Sequence, residues 1–163
     1  MDPQEPNPPP SLPLLFLPLN IAGLSCPALL DSGASDNFIS TNMVKHLHLV
    51  PKLLREPGTL TVANGAQLEI THFIRTHVSV GTLRTRLFFR ITDTPLPVVL
   101  GLPFLKQYEP IIDWGNRIIS ITRQGISHAI QALPGEPRIE ITLTLTPRSY
   151  SFNLQTHFPH FNR

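Results

Sequence analysis

The chain has 163 residues, 41% of them apolar and 15% charged, enough to build one domain around a real core. Its formal net charge is +2, and its 13 Lys and Arg residues are scattered rather than gathered in a run that could track phosphates, so no nucleic-acid partner is expected. A single cysteine, Cys26, and the lack of Cys-x-x-Cys or His-Glu-x-x-His spacing exclude an intrachain disulfide and the familiar zinc sites; no metal or cofactor is expected.

In chain order, residues 1–11 are rich in proline and polar side chains, a composition that favours extended conformers and supplies no core, and they read as a tail or linker. The apolar cluster 12–19 is broken by Pro13 and Pro18 and lacks a basic flank. It therefore reads as neither a membrane span nor a signal peptide, and the chain is expected to be soluble and cytoplasmic. Residues 14–30 predict a hairpin turning at Gly23-Leu24-Ser25, its second strand running into Asp31. Ser40 is a good N-cap for a short helix with Met43, Val44 and Leu47 on one face, stopped by Pro51.

Asn64-Gly65, flanked by residues 59–63 and 66–70, predicts a two-residue type I′ hairpin, whose central positions both want positive φ. Further strands are predicted over residues 73–80, 84–91 and 97–100. A brief helix over 101–107 with Pro103 in its first turn and a closing hairpin of 111–113 with 118–121 follow. The domain is expected to span residues 12–122. Beyond it, 123–163 reads as an extension of unassigned role, with a weak helix over 124–133 and an alternating strand over 140–146.

The chemistry concentrates at Asp31-Ser32-Gly33. Hydrolysis of a peptide bond needs a base for water and an acid for the developing oxyanion, and two carboxylates sharing one proton supply both. Such an aspartate has to sit in a tight turn at a strand end. An adjacent hydroxyl can lock that turn, and a glycine lets backbones approach closely. Bare Asp-Ser-Gly is common in surface turns. This one interrupts an apolar strand, follows Leu29-Leu30, keeps Ala34 and Ser35 small, and leads into Phe38-Ile39. No other aspartate repeats the triplet, so the second carboxylate is expected from another copy across a two-fold axis. Asp113 beside Trp114 reads as a turn residue, and the seven histidines show no ligand spacing.

The run from Ala28 through Asp31-Ser32-Gly33-Ala34-Ser35 to Ile39 resembles the active-site segment of retropepsin-like proteases from gypsy-type long-terminal-repeat retrotransposons and their domesticated derivatives. Val98-Val99-Leu100-Gly101-Leu102-Pro103-Phe104-Leu105 resembles the same family's apolar-apolar-Gly segment, where a strand beneath the catalytic loop enters the last helix. Pro103 departs from the polar residue many relatives carry there, and Gly65 stands where viral relatives have several glycines. The resemblance covers about residues 12–121. It implies a mostly β, closed acid-protease barrel with one or two short helices, assembled as a homodimer.

The same resemblance makes Asp31, Ser32 and Gly33 the catalytic triplet, with Ser32 bracing two loops across the dimer. It makes the hairpin at Ala63, Asn64, Gly65 and Ala66 a flap that, with Ala34 and Ser35, touches an extended peptide or polyprotein substrate. The alternative is a catalytically silent dimerisation or peptide-binding module on the same fold.

Overall fold

The computed structural model describes residues 6–7, 14–61 and 64–134. The rest of the proline-rich start, Ala63 of the expected flap and the expected strand over 140–146 lie outside the described residues.

Apolar alternation in the first half yields strands β1 (Phe16–Ile21) and β2 (Leu24–Leu30), paired antiparallel from Phe16↔Leu29 to Ile21↔Leu24. Their turn is Ala22-Gly23, with φ of 52° and 81°, one residue earlier than Gly23-Leu24-Ser25. Both central φ values carry the sign a type I′ turn requires, and Leu24 is thereby released to the ladder. After the Asp31 loop come β3 (Phe38–Ser40) and helix α1 (Thr41–His46). Ser40 caps the helix, its hydroxyl oxygen accepting from the Met43 N–H at 3.0 Å. The helix ends before Pro51, because His48 turns the chain at a φ of 55°.

Strands β4 (Lys52–Thr61), β5 (Gln67–Val80) and β6 (Leu83–Thr92) form the long meander. The expected two-residue turn at Asn64-Gly65 is corrected: the described ladder runs to Thr61↔Gln67, a register centred on Asn64, and Ala66 lies outside β5. Gly65 turns with a φ of 84°, and the Asn64 side chain accepts from the Ala66 N–H at 2.9 Å. Then come β7 (Val98–Leu100), α2 (Leu102–Tyr108), β8 (Ile111–Asp113), β9 (Ile118–Arg123) and β10 (Ile126–Gln131). The helix expected over 124–133 is instead the β10 arm of a hairpin. Gln124 and Gly125 turn with φ of 51° and 76°, and β10 then pairs with β9 from Ile126↔Arg123 to Gln131↔Ile118. Thr122 lies inside this hairpin.

The main sheet runs β1-β2-β7-β3-β6-β5-β4, and a further β1–β5 pairing at Asn20↔Ser79 closes its first six strands into a barrel. Strands β8, β9 and β10 make a second sheet. The fold is thus mostly β with two short helices, as expected. Strand β7, buried along its whole length, lies between parallel β2 and antiparallel β3, which is why it reads as an unbroken apolar run. The larger core gathers Leu17, Leu19, Ile39, Phe89, Leu100 and Phe104. A smaller one of Phe16, Leu29, Phe38, Ile70, Leu96 and Val99 reaches Ala34 beneath the Asp31 loop.

The two sheets are tied by a polar knot. Tyr108 OH lies 2.6 Å from Thr85 Oγ1, and Arg123 Nη1 donates to both at 3.0 and 2.9 Å.

Cys26 is wholly buried, with Sγ 3.7 Å from Met43 Sδ, and burial pushes its thiol up to about 11. Its folded value lies above the unfolded one, so the stability it contributes is complete below the unfolded value and lost as pH rises toward 11. Native protein at pH 8 should resist iodoacetamide and react once unfolded in urea. Urea titrations between pH 8 and 11 should show an alkaline loss of the order of 2 kcal/mol that Cys26→Ala lacks.

Candidate active site

Asp31 is the first residue after β2, and its backbone N–H donates to the Leu100 carbonyl at 3.0 Å, continuing the parallel β2–β7 ladder by one rung. The chain then turns tightly. The Ala34 N–H donates to the Asp31 carbonyl at 3.1 Å, and the Gly33 N–H donates to Asp31 Oδ1 at 2.8 Å. The carboxylate is therefore aimed by its own loop, in the manner of an Asx turn. Asp31 and Ala34 are half-buried, whereas Ser32, Gly33 and Ser35 are exposed at the tip.

What holds the loop from below is a pair of residues, Gly101 and Asn37, that fall within the two family-like segments but are not among the expected site residues. Gly101 passes so close under the loop that a Cβ there would stand 2.3 Å from the Asp36 carbonyl oxygen and 2.6 Å from that of Ala34. No side chain fits in that space, and the Leu102 N–H uses the closeness to donate to the Ala34 carbonyl at 2.9 Å. Asn37 is buried and ties β6 to the residue that follows β7. Its Oδ1 accepts from the Gly101 N–H at 2.9 Å, its Nδ2 donates to the Phe88 carbonyl at 3.3 Å, and its own carbonyl accepts from the Arg90 N–H at 2.9 Å.

Asp36, beside it, faces Arg90 with Oδ2 3.1 Å from Nε. A buried amide with partners on both its oxygen and its nitrogen fixes a loop more firmly than packing alone, since losing either contact leaves a buried polar group unsatisfied. The sequence offers only a partial signal: Gly101 follows three buried apolar residues, whereas Asn37 follows the polar Ser35-Asp36 and reads as part of the same turn.

Of the expected substrate-contacting positions, Ala34 and Ser35 belong to the Asp31 loop. Asn64, Gly65 and Ala66 lie in the turn between β4 and β5. A cavity of about 300 Å³ beside the loop is lined by Ser35, Asp36, Gly58, Leu60, Ile70 and Arg90, so β4 and the loop share one recess. Asp113 is spent on a turn: its oxygens accept from the Asn116 N–H at 3.0 Å and the Asn116 side-chain amide at 2.9 Å. Those bonds hold its carboxyl below the usual range. Among the described residues no helix is long and apolar enough to cross a membrane.

Comparison with known proteins agrees with this architecture. The PEG10/RTL1 protease domain family matches residues 27–130. DNA damage-inducible protein 1 of Kluyveromyces lactis is 24% identical over 109 residues, 67% of this chain. The match spans 26% of that relative's length. The crystal structure of the retroviral protease-like domain of Ddi1 from Leishmania major superposes with a TM-score of 0.61 at 24% identity. It covers 76% of this chain and 97% of that one.

Two substitutions separate the supports. Gly101→Ala should cost about 3 kcal/mol or more in urea denaturation, because backbone and not a flexible side chain blocks the added methyl. Asn37→Ala should cost about 1–3 kcal/mol by orphaning the Gly101 N–H. A Gly101→Ala protein as stable as the parent would show that the loop is not clamped there.

Proposed function

Because this chain belongs to the PEG10/RTL1 protease domain family, we propose that its retropepsin-like domain is an active aspartic endopeptidase that works as a homodimer with Asp31 from each copy. The observation carrying this reading is the Asp31 loop itself. A half-buried carboxylate stands at the end of a core strand, oriented by the Gly33 N–H, in a loop whose tip is open to a second copy.

Two carboxylates about 3 Å apart do not both ionise easily, so they share one proton. The ionised Asp31 takes a proton from water as the water oxygen attacks the peptide carbonyl carbon. The protonated Asp31 of the other copy gives its proton to the carbonyl oxygen, and a tetrahedral diol forms. Collapse of the diol breaks the C–N bond, with a proton passing to the departing amine, and leaves a carboxylic acid and one shared proton on the pair.

Ser32, exposed next to Asp31, braces the two loops against each other across the two-fold axis. The recess beside Ser35, with Gly58, Leu60 and Ile70 on its walls, receives a substrate side chain. Ala63, Asn64, Gly65 and Ala66 cover the extended peptide from above, where backbone groups at the strand ends can hydrogen-bond it. The half-exposed Leu102, next to the loop, supplies apolar surface for the second copy. A retroelement-type polyprotein, cleaved in the cytoplasm, is the substrate class that best matches a domain of this family.

Purified protein should cleave members of a diverse peptide library between pH 4 and 7. Asp31→Asn should lose cleavage by at least a thousandfold while sedimenting as the same dimer, since the exchange is nearly isosteric. Cleavage retained by Asp31→Asn would sink the mechanism. A well-formed parent dimer without cleavage would assign the domain to peptide binding instead.

A further inference from the structure

Strands β5 and β6 pair in register from Phe73↔Arg90 through Arg75↔Phe88, His77↔Arg86 and Ser79↔Arg84. Residues directly opposite share a face, and every second residue along a strand returns to it. One face of this ribbon therefore carries Arg75, Arg84, Arg86, Arg90 and His77 around Phe73 and Phe88. Arg75, His77, Arg84 and Arg86 are exposed. The two phenyl rings stack at 4.9 Å, and the guanidinium carbons of Arg75 and Arg90 lie 5.7 and 5.8 Å from the Phe88 centroid.

Toward the hairpin end charge on this face is unopposed, whereas at the other end Asp36 and Glu56 line the same recess as Arg90. Asp36 is paired with Arg90, and among the described residues no carboxylate is in ion-pair range of Arg75, Arg84 or Arg86. Glu69 and Asp93 lie beyond the paired stretch and line a different cavity. At the hairpin end the face opens into a cavity of about 700 Å³ whose walls include His77, Ser79, Arg84, Arg86 and Arg123, with no acidic residue among them. From Arg90 beside the Asp31 loop to Arg84 the row runs roughly 20 Å.

We infer that this ribbon face binds single-stranded nucleic acid, its arginines tracking successive phosphates and its aromatic pair offering a surface for a base. The features that favour this ligand over an acidic peptide are the row's length, the interleaving of arginine with aromatic rings, and guanidinium groups pre-oriented on a phenyl face. The expectation of no nucleic-acid partner rested on the lack of a basic run. Strand alternation removes that objection, since residues 84, 86 and 90 are separated in sequence yet share one face of β6 with Arg75 and His77 of β5.

The test is fluorescence anisotropy of a fluorescein-labelled 20-nucleotide oligouridylate with the full chain between 50 and 200 mM salt. Binding should weaken with a log–log salt slope of about −2, the value for three phosphate contacts on a single strand. Arg84→Thr with Arg86→Thr should lose at least tenfold in affinity at 50 mM salt and flatten the slope by about 1.4. Lys45→Gln with Lys106→Gln, which removes the same charge from the two helices, should stay within twofold of the parent. Melting curves check folding, and Arg75→Thr replaces the double variant, with a threefold loss expected, if that one does not melt cooperatively. No binding at 50 mM salt, or equal losses in the ribbon and helix variants, would overturn the inference. Competition by polyglutamate as effective as that of unlabelled oligouridylate would also overturn it and assign the face to acidic peptides.

Discussion

Everything at the candidate site depends on one close approach, the passage of Gly101 beneath the Asp31 loop. The chain leaves β7 at Leu100, whose carbonyl holds the Asp31 N–H, and one residue later it lies under the carbonyls of Ala34 and Asp36 where no Cβ would fit. That closeness lets Leu102 and Asn37 complete the hydrogen bonding of a backbone that would otherwise be buried and unsatisfied. The loop is therefore positioned by strands drawn from distant parts of the sequence. β2 delivers the carboxylate, β7 and α2 form the floor, and Asn37 ties the floor to β6 through Phe88.

The surrounding barrel explains why this positioning is stiff. Strand β7 has neighbours on both sides and burial on both faces, so moving the loop would require moving core. The smaller apolar cluster under Ala34 restrains the loop directly, while the Tyr108–Thr85–Arg123 knot ties the far end of α2 to β6 and β9. The turn between β4 and β5 is held differently. β4 is mostly exposed, its register with β5 shifts between Leu53 and Gly58, and its turn carries a local hydrogen bond from the Ala66 N–H to the Asn64 side chain. A rigid loop facing a lightly anchored hairpin is an arrangement that suits closure over a ligand.

The sequence was most readable where local chemistry and burial agree. Asp31 at a strand end, Ser40 as a cap, and the order of β5, β6, β7 and α2 all follow from alternation, capping and turn residues. It was least readable where a turn could be built in several ways. Asn64-Gly65 carries the strongest type I′ signature, yet the β4–β5 register at Thr61↔Gln67 is centred on Asn64 rather than on the Asn64-Gly65 pair. Residues 124–133 have an apolar spacing compatible with a helix, and only the pairing of β10 on β9, with Ile130 and Ala132 buried, makes them a strand and its exit. Asn37 and Gly101 were missed for another reason: their partners are brought together by three strands, and no local pattern encodes such a meeting.

Clamping one carboxylate this firmly is only half of what peptide hydrolysis needs. A lone carboxylate can accept a proton from water, but at the same moment it cannot donate one to the carbonyl oxygen, and bulk water is a poor acid for that purpose. Among the described residues Asp36, the acid next along the loop, is already committed to Arg90, and Asp113 is committed to Asn116, so neither is free to supply the proton. In the proposed dimer a second copy would solve the problem with no new element, because a two-fold axis through the exposed tip would set like against like, and the repulsion between two carboxylates would itself retain the shared proton. On that proposal the rigidity supplied by Gly101 and Asn37 has a use: the loop would have to hold its carboxylate against that repulsion.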